Sequence, residues 1–491
     1  MGKSGGDGQM SEFQINRRAL GSLALGGAAL SLGACEPAAK TDPQPKSRQF
    51  PRDFVWGVAT AAFQIEGSQQ ADGRGKSIWD TFERQPGKIV DGSDASIATD
   101  SYRRYGEDID LIKAAGLGAY RFSMSWPRIF PTGEGPLNTA GLDYYERLVD
   151  GLMAKDIVPY ATLFHWDLPQ ALQDKGGWAN RDTALRLADY AAAVGQKLGD
   201  RLKRYIVLNE AAAHSLLGHL LGIHAPGLKD PKLLGPVVHH MNLGQGLAIQ
   251  ALRAGHSDLS IGTTFALQPV RPSGGDLAFW NRPAADGLDA LANRAWLEPA
   301  LKGTYPKLVS DQIGKALKDG DLTTIHQPVD FVGVNYYAPT YVRLDLTSPS
   351  KIALAKPPKG VELDAFGRHI DPSGLVEVLD WLRNDYDNPP VMITESGCSD
   401  PFSTKPAIIK DTFRITYLRR HLEAALVAKE AGSPLNGYFV WTLLDNFEWN
   451  FGYTSKFGLV AHDRATGQRT LKESYGWFAN LAKTGTLPTQ P

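Results

Sequence analysis

Beyond residue 50 the chain alternates short runs rich in β-branched and aromatic residues with longer stretches whose apolar positions recur at helical spacing. The pattern predicts strands over 54–60, 119–126, 158–165, 205–209, 260–267, 330–337, 391–395 and 438–443. Amphipathic segments separate most of them: Tyr144, Tyr145, Leu148, Val149, Leu152 and Met153 form a stripe of the kind that faces a sheet. Strands alternating with helices in this way predict an α/β protein, a single (β/α)8 TIM barrel with elaborated βα loops over residues 51–485. Its chemistry then belongs at the C-terminal ends of the strands. An open doubly wound sheet is the competing arrangement, but no G-x-G-x-x-G turn follows the first strand. Residues 348–360 (SPSKIALAKPPKG) read as a long excursion loop.

The first fifty residues follow another logic. Paired Arg17 and Arg18 precede a weakly apolar run rich in Ala, Gly and Leu, which ends in Leu32-Gly33-Ala34-Cys35. That run is shorter than the roughly 20 residues a spanning helix needs. Its parts resemble a twin-arginine export signal closed by a bacterial lipobox, which implies removal of residues 1–34 and a lipid on Cys35. Residues 35–50, rich in Pro, Ala, Lys and Gln, are predicted to be an extended tether. The expectation is an exported lipoprotein of a bacterium, periplasmic or at the cell surface, that meets the membrane only through this anchor.

Composition narrows the function. With 52 basic and 53 acidic residues among 491, there is no charge excess to grip a nucleic-acid backbone or an anionic bilayer. Two cysteines cannot form a disulfide scaffold, and if Cys35 is acylated Cys398 has no intramolecular partner. His214, His219 and His224 recur every five residues, a spacing that does not share an α-helical face, and no H-E-x-x-H motif occurs. Neither a metal nor a cofactor is expected.

The predicted strand ends carry the candidate chemistry. Strand one leads to Gln64 and Glu66, strand two contains Arg121, and strand three ends at His165-Trp166-Asp167. Strand four ends at Asn209-Glu210, strand six at Asn335-Tyr336-Tyr337 and strand seven at Glu395, while strand eight carries Trp441 and leads into Glu448-Trp449. Amides and imidazole pair with sugar hydroxyls, tryptophan faces stack on sugar C–H faces, and two carboxyls can cleave a glycosidic bond. Trp56 and Trp126 are expected to pack in the barrel rather than touch a ligand, and Glu66 has no assignable role.

At these residues the chain resembles the family 1 glycoside hydrolases, retaining β-glucosidases and β-galactosidases. The matching stretches include FVWGVATAAFQIEG (54–67), YRFSMSWPRI (120–129), ATLFHWDLPQAL (161–172), VLNE (207–210), DFVGVNYY (330–337), ITESG (393–397) and GYFVWTLLDNFEWNFGYTSKFGLV (437–460), in the family's order. The resemblance implies that Glu395 is the nucleophile and Glu210 the acid/base. It further implies that Arg121 and Asn335 support them, as does Tyr337 beside the nucleophile, and that Gln64, His165, Asn209, Tyr337, Trp441, Glu448, Trp449 and Phe457 bind the substrate, an unphosphorylated β-glycoside. Two positions depart from the family pattern: Ala211 replaces the usual Pro after the acid/base, and Ser396 the usual Asn after the nucleophile. A transglycosylase using the same site, or a sugar-binding surface lipoprotein that has lost catalysis, are the alternatives.

Overall fold

The computed structural model describes residues 42–275, 278–348, 350–399 and 409–490. The export signal, Cys35 and the first part of the tether lie outside the described residues. Eight parallel strands close into a barrel: β1 (Val55–Ala59), β2 (Ala119–Ser123), β3 (Val158–Phe164), β4 (Arg204–Asn209), β5 (Ser260–Ala266), β6 (Phe331–Asn335), β7 (Val391–Ser396) and β8 (Leu435–Trp441). Each pairs with its neighbour in sequence, and β8 returns to β1 with Val55 opposite Gly437 and Ala59 opposite Trp441. Helices such as Thr139–Met153, Asp182–Leu198, Leu234–Gly255 and Thr412–Glu430 lie between strands in the chain, the arrangement of a (β/α)8 TIM barrel.

Parallel strands are covered on both faces, which is why they read as continuous apolar runs. Within the barrel, Tyr160 of β3 meets Phe439 of β8 at 5.1 Å and Phe331 of β6 at 6.4 Å between ring centroids. Glycines admit these rings: a Cβ on Gly57 would lie 2.4 Å from the Phe439 ring, and one on Gly262 would lie 2.5 Å from Phe331. Toward the C-terminal ends the strands change character and carry Arg121, Asn209, Asn335 and Glu395, all buried.

The outer layer follows the predicted stripe with one exception. Tyr144, Tyr145, Leu148, Val149 and Leu152 are buried, whereas Met153, the last residue of its helix, is 43% exposed. Trp56 packs outward against Phe478, and Trp126 stacks on Tyr190 at 5.3 Å, so both belong to the packing.

Several boundaries differ from the sequence pattern. β2 stops at Ser123, and Trp126 instead opens a short helix with Pro127 in its first turn. β8 starts at Leu435, three residues early: Asn436 and Gly437 interrupt the apolar run, Gly437 still pairs with Val55 of β1, and toward β7 the register shifts by one residue between Leu435 and Tyr438. The excursion loop contains a strand, Ile352–Leu354, antiparallel to Thr340–Leu344, since Ile352 finds an apolar seat beside Ala284, Ala285 and Val342. The end of the predicted tether lies against the barrel domain. Lys46 and Ser47 donate backbone N–H groups to the Glu430 carboxylate at 3.0 and 2.8 Å, and Phe50, 1% exposed, packs on Phe54 and Trp56.

Candidate active site

The barrel closes around one linked set of polar side chains. Arg121, buried on β2, donates from Nη1 to Glu395 Oε1 at 2.6 Å and to the Thr394 carbonyl at 3.1 Å, and from Nη2 to Asn209 Oδ1 at 2.6 Å. Tyr337, just past β6, donates its hydroxyl to Glu395 Oε2 at 2.7 Å. Both oxygens of Glu395 are therefore held, one by a cation that compensates the carboxylate charge.

Glu210 stands where β4 turns into the helix Ala211–Ser215, with φ at 46° in the left-handed region and its N–H donating to the Thr264 carbonyl at 3.0 Å. Asn335 donates to its Oε1 at 2.7 Å and to Asn209 Oδ1 at 3.1 Å. Burial pushes the Glu210 carboxyl up to about 8, the nearby Glu395 charge adds to the rise, and the Asn335 bond and Arg121 oppose it. Two carboxyls in one buried site thus have opposite surroundings: one is clamped by a cation and a phenol, and the other is biased toward holding its proton.

Around this pair lie groups suited to hydroxyls. Asn209 Nδ2 donates to His165 Nε2 at 2.9 Å. Burial and Arg121 hold His165 well below its usual range, so the ring is neutral and its proton sits on Nδ1, a buried atom with no protein partner among the described residues. Gln64 spends its Nε2 on Asn446, Phe447 and Glu448 at 3.1, 2.9 and 3.2 Å, which leaves its buried Oε1 as an open acceptor. Burial pushes Glu448 up to about 7, against the pull of Arg368. Trp441 and Trp449 flank His165 with ring centroids at 5.9 Å each, and Phe457 lies 6.3 Å from the Tyr337 ring.

The contacts above link the side chains that the resemblance implies for the site, and the structure adds others. Thr394 donates to Asn335 Oδ1 at 2.8 Å and receives Thr264 at 3.2 Å, so a chain of hydroxyls orients the amide that touches Glu210. Trp166 donates its indole N–H to the Asn209 carbonyl at 2.9 Å. Thr394 is adjacent to Glu395, but nothing in its own spacing marks it. Glu66 receives Arg128 at 2.9 Å and Tyr145 at 2.5 Å, an ion pair packed beneath the rim. The histidine spacing is corrected: Leu216–Leu220 is π-helical, and its i to i+5 bonding brings the His214 and His219 rings to 5.3 Å on one face. His224 turns instead to Asn450 at 3.0 Å. Among the described residues no three His, Cys, Asp or Glu side chains are grouped as metal ligands.

The two departures also find their surroundings. Ser396 lies 3.4 Å from the Tyr417 hydroxyl, which in turn reaches the Tyr337 carbonyl at 3.4 Å. Ala211, buried, opens the helix that follows Glu210.

Residues 46–486 match the sequence profile of glycosyl hydrolase family 1. The chain belongs to this family. Similar members include beta-glucosidase A of Thermotoga maritima, 40% identical over 448 residues that cover 90% of this chain and 99% of the relative. Beta-glucosidase A of Acetivibrio thermocellus is 42% identical over 445 residues, 88% of this chain and 98% of the relative. The solved structure of the Thermotoga maritima beta-glucosidase with deoxynojirimycin superposes with a TM-score of 0.84, covering 90% of this chain and 100% of that one. As a family 1 member the chain is a glycosyl hydrolase, and its polar cluster lies at the C-terminal rim of the barrel, where TIM-barrel enzymes do their chemistry.

Proposed function

We propose that this family 1 member is a retaining exo-β-glycosidase acting on unphosphorylated β-D-glycosides, foremost glucosides. The observation that carries the reading is the contrast between Glu395, clamped by Arg121 and Tyr337, and Glu210, buried and biased toward its protonated form. In the first step a Glu395 oxygen attacks the anomeric carbon while the glycosidic oxygen leaves with the proton of Glu210, forming a glycosyl ester. In the second, Glu210 takes a proton from water, the water oxygen attacks the anomeric carbon, and the ester bond breaks to restore Glu395. Asn209 would hold the 2-hydroxyl, with Gln64, His165 and Glu448 on other glycone hydroxyls and Trp441, Trp449 and Phe457 along its apolar faces. The names of the relatives support glucose as the first glycone to test.

The test is a panel of aryl β-glycosides followed by NMR. Turnover with first-formed β-glucose, abolished by Glu395→Gln, is expected; first-formed α-glucose would overturn the retaining mechanism. The order of paired Arg, apolar run and Leu32-Gly33-Ala34-Cys35 further supports export and lipid attachment at Cys35. Metabolic labelling with palmitate should mark the native protein and fail to mark Cys35→Ser.

A further inference from the structure

Outside the carboxyl pair, a small hairpin holds a cation over the Tyr337 ring. Leu363 bridges His369, and Gly367 turns the chain with φ at +72°. Asp364 closes the turn: its Oδ1 accepts the backbone N–H groups of Phe366 and Arg368, each at 2.9 Å, and its Oδ2 accepts Arg368 Nε at 2.7 Å and Nη2 at 2.5 Å. The guanidinium is thereby held with its carbon 5.0 Å from the Tyr337 ring centroid, 4.9 Å from Phe366 and 5.9 Å from Phe457. Its Nη1 makes no hydrogen bond among the described residues, and the side chain is 32% exposed. Asp364 offsets part of this charge but takes only the Nε and Nη2 edge of the guanidinium, which leaves the Nη1 edge open.

Exposure gives the direction. Glu395 and Phe457 are buried, whereas Tyr337 and Phe366 are half-buried and Arg368 reaches solvent. A glycone seated among Gln64, His165 and Glu448 is enclosed, and what departs must pass the half-exposed shelf of Phe366 and Arg368. Charge gives the chemistry. Glu210, Glu395 and Glu448 converge inside and Arg121 is committed to Glu395, so an anionic glycone would meet carboxyls; Arg368 already offsets Glu448 from the outside, and its open Nη1 edge is left for an anion farther out. A guanidinium lying over aromatic rings favours a flat, aromatic neighbour and presents its remaining edge to a carboxylate.

We propose that Arg368 is a specificity-determining residue on the leaving-group side, selecting β-glycosides whose planar aromatic aglycone carries a carboxylate. This rests on the glycosidase reading above. The test compares kcat/KM for 4-carboxyphenyl and 4-carbamoylphenyl β-D-glucosides, which share shape and differ in charge, in the wild type, Arg368→Gln and Arg368→Lys. The ratio between the two substrates should fall roughly fivefold in Arg368→Gln, mainly through KM, and recover in part in Arg368→Lys. In the wild type it should also fall as ionic strength rises, a readout that does not depend on any variant folding. An unchanged ratio in Arg368→Gln, or a wild-type ratio indifferent to salt, overturns the proposal and leaves the glycosidase reading standing. Failure to hydrolyse either glucoside removes both.

Discussion

The side-chain amide of Asn335 donates to Oε1 of Glu210 at 2.7 Å. Thr394 fixes that amide by donating to its Oδ1 at 2.8 Å, so the N–H side must face the two oxygens it serves, on Glu210 and Asn209. The bond favours the ionised carboxyl, in opposition to burial and the charge of Glu395.

Removing the amide should therefore move the acid/base upward. In Asn335→Ala the alkaline limb of kcat/KM shifts to higher pH, while kcat falls roughly tenfold because Glu210 and Asn209 lose their orientation. A pH–rate profile of both proteins checks this; a limb moving downward would contradict the assigned role.

The raised Glu210 carboxyl also has a cost in stability. A carboxyl that titrates higher in the folded than in the unfolded chain stabilises fully below its unfolded value of 4.5, and that contribution is lost as pH rises through about 8. Glu210→Gln keeps the shape and carries no charge, so its Tm should exceed the wild type by roughly a few degrees on the alkaline side, the difference shrinking toward acid. Melting curves across pH read this directly. Wild-type kcat/KM should decline over the same alkaline range as the acid loses its proton.

Ser396 at the position after Glu395 should prove a mild departure. Its contact with Tyr417 is 3.4 Å, near the limit of a hydrogen bond, as is the contact of Tyr417 with the Tyr337 carbonyl. Ser396→Ala and Tyr417→Phe should each lower kcat by no more than about threefold, and the double variant should lose less than the product of the two. Full additivity in kcat would mean that these hydroxyls do not act as one unit.

Phe50 tests where the domain begins. It is buried against Phe54 and Trp56, so Phe50→Ala should destabilise the fold by about 3 kcal/mol, read as a lower denaturation midpoint in urea with an unchanged slope. A residue in a free tether would give no shift.

Much of this was legible from local pattern. β3, β5 and β7 stand within one or two residues of their predicted bounds, because strands buried on both faces must be apolar along their length. Where a polar residue enters such a ladder the apolar run no longer marks the strand, as at Asn436 in β8. Leu216–Leu220 shows the same limit for helices: spacing read at 3.6 residues per turn separates His214 from His219, and only the π-helical backbone joins them.

Residue order and local periodicity are enough to set the alternation of strands and helices, the family, and which polar residues close each strand. Their pairing exists only once the chain is folded. Arg121 and Glu395 are 274 residues apart and Asn335 and Glu210 are 125 apart, and their contact depends on barrel closure and strand register. The same holds for Arg368, whose place over Tyr337 comes from a hairpin folded around Asp364, and for Phe50, whose ring meets Trp56 and whose N–H donates to the Gly485 carbonyl from the far end of the chain.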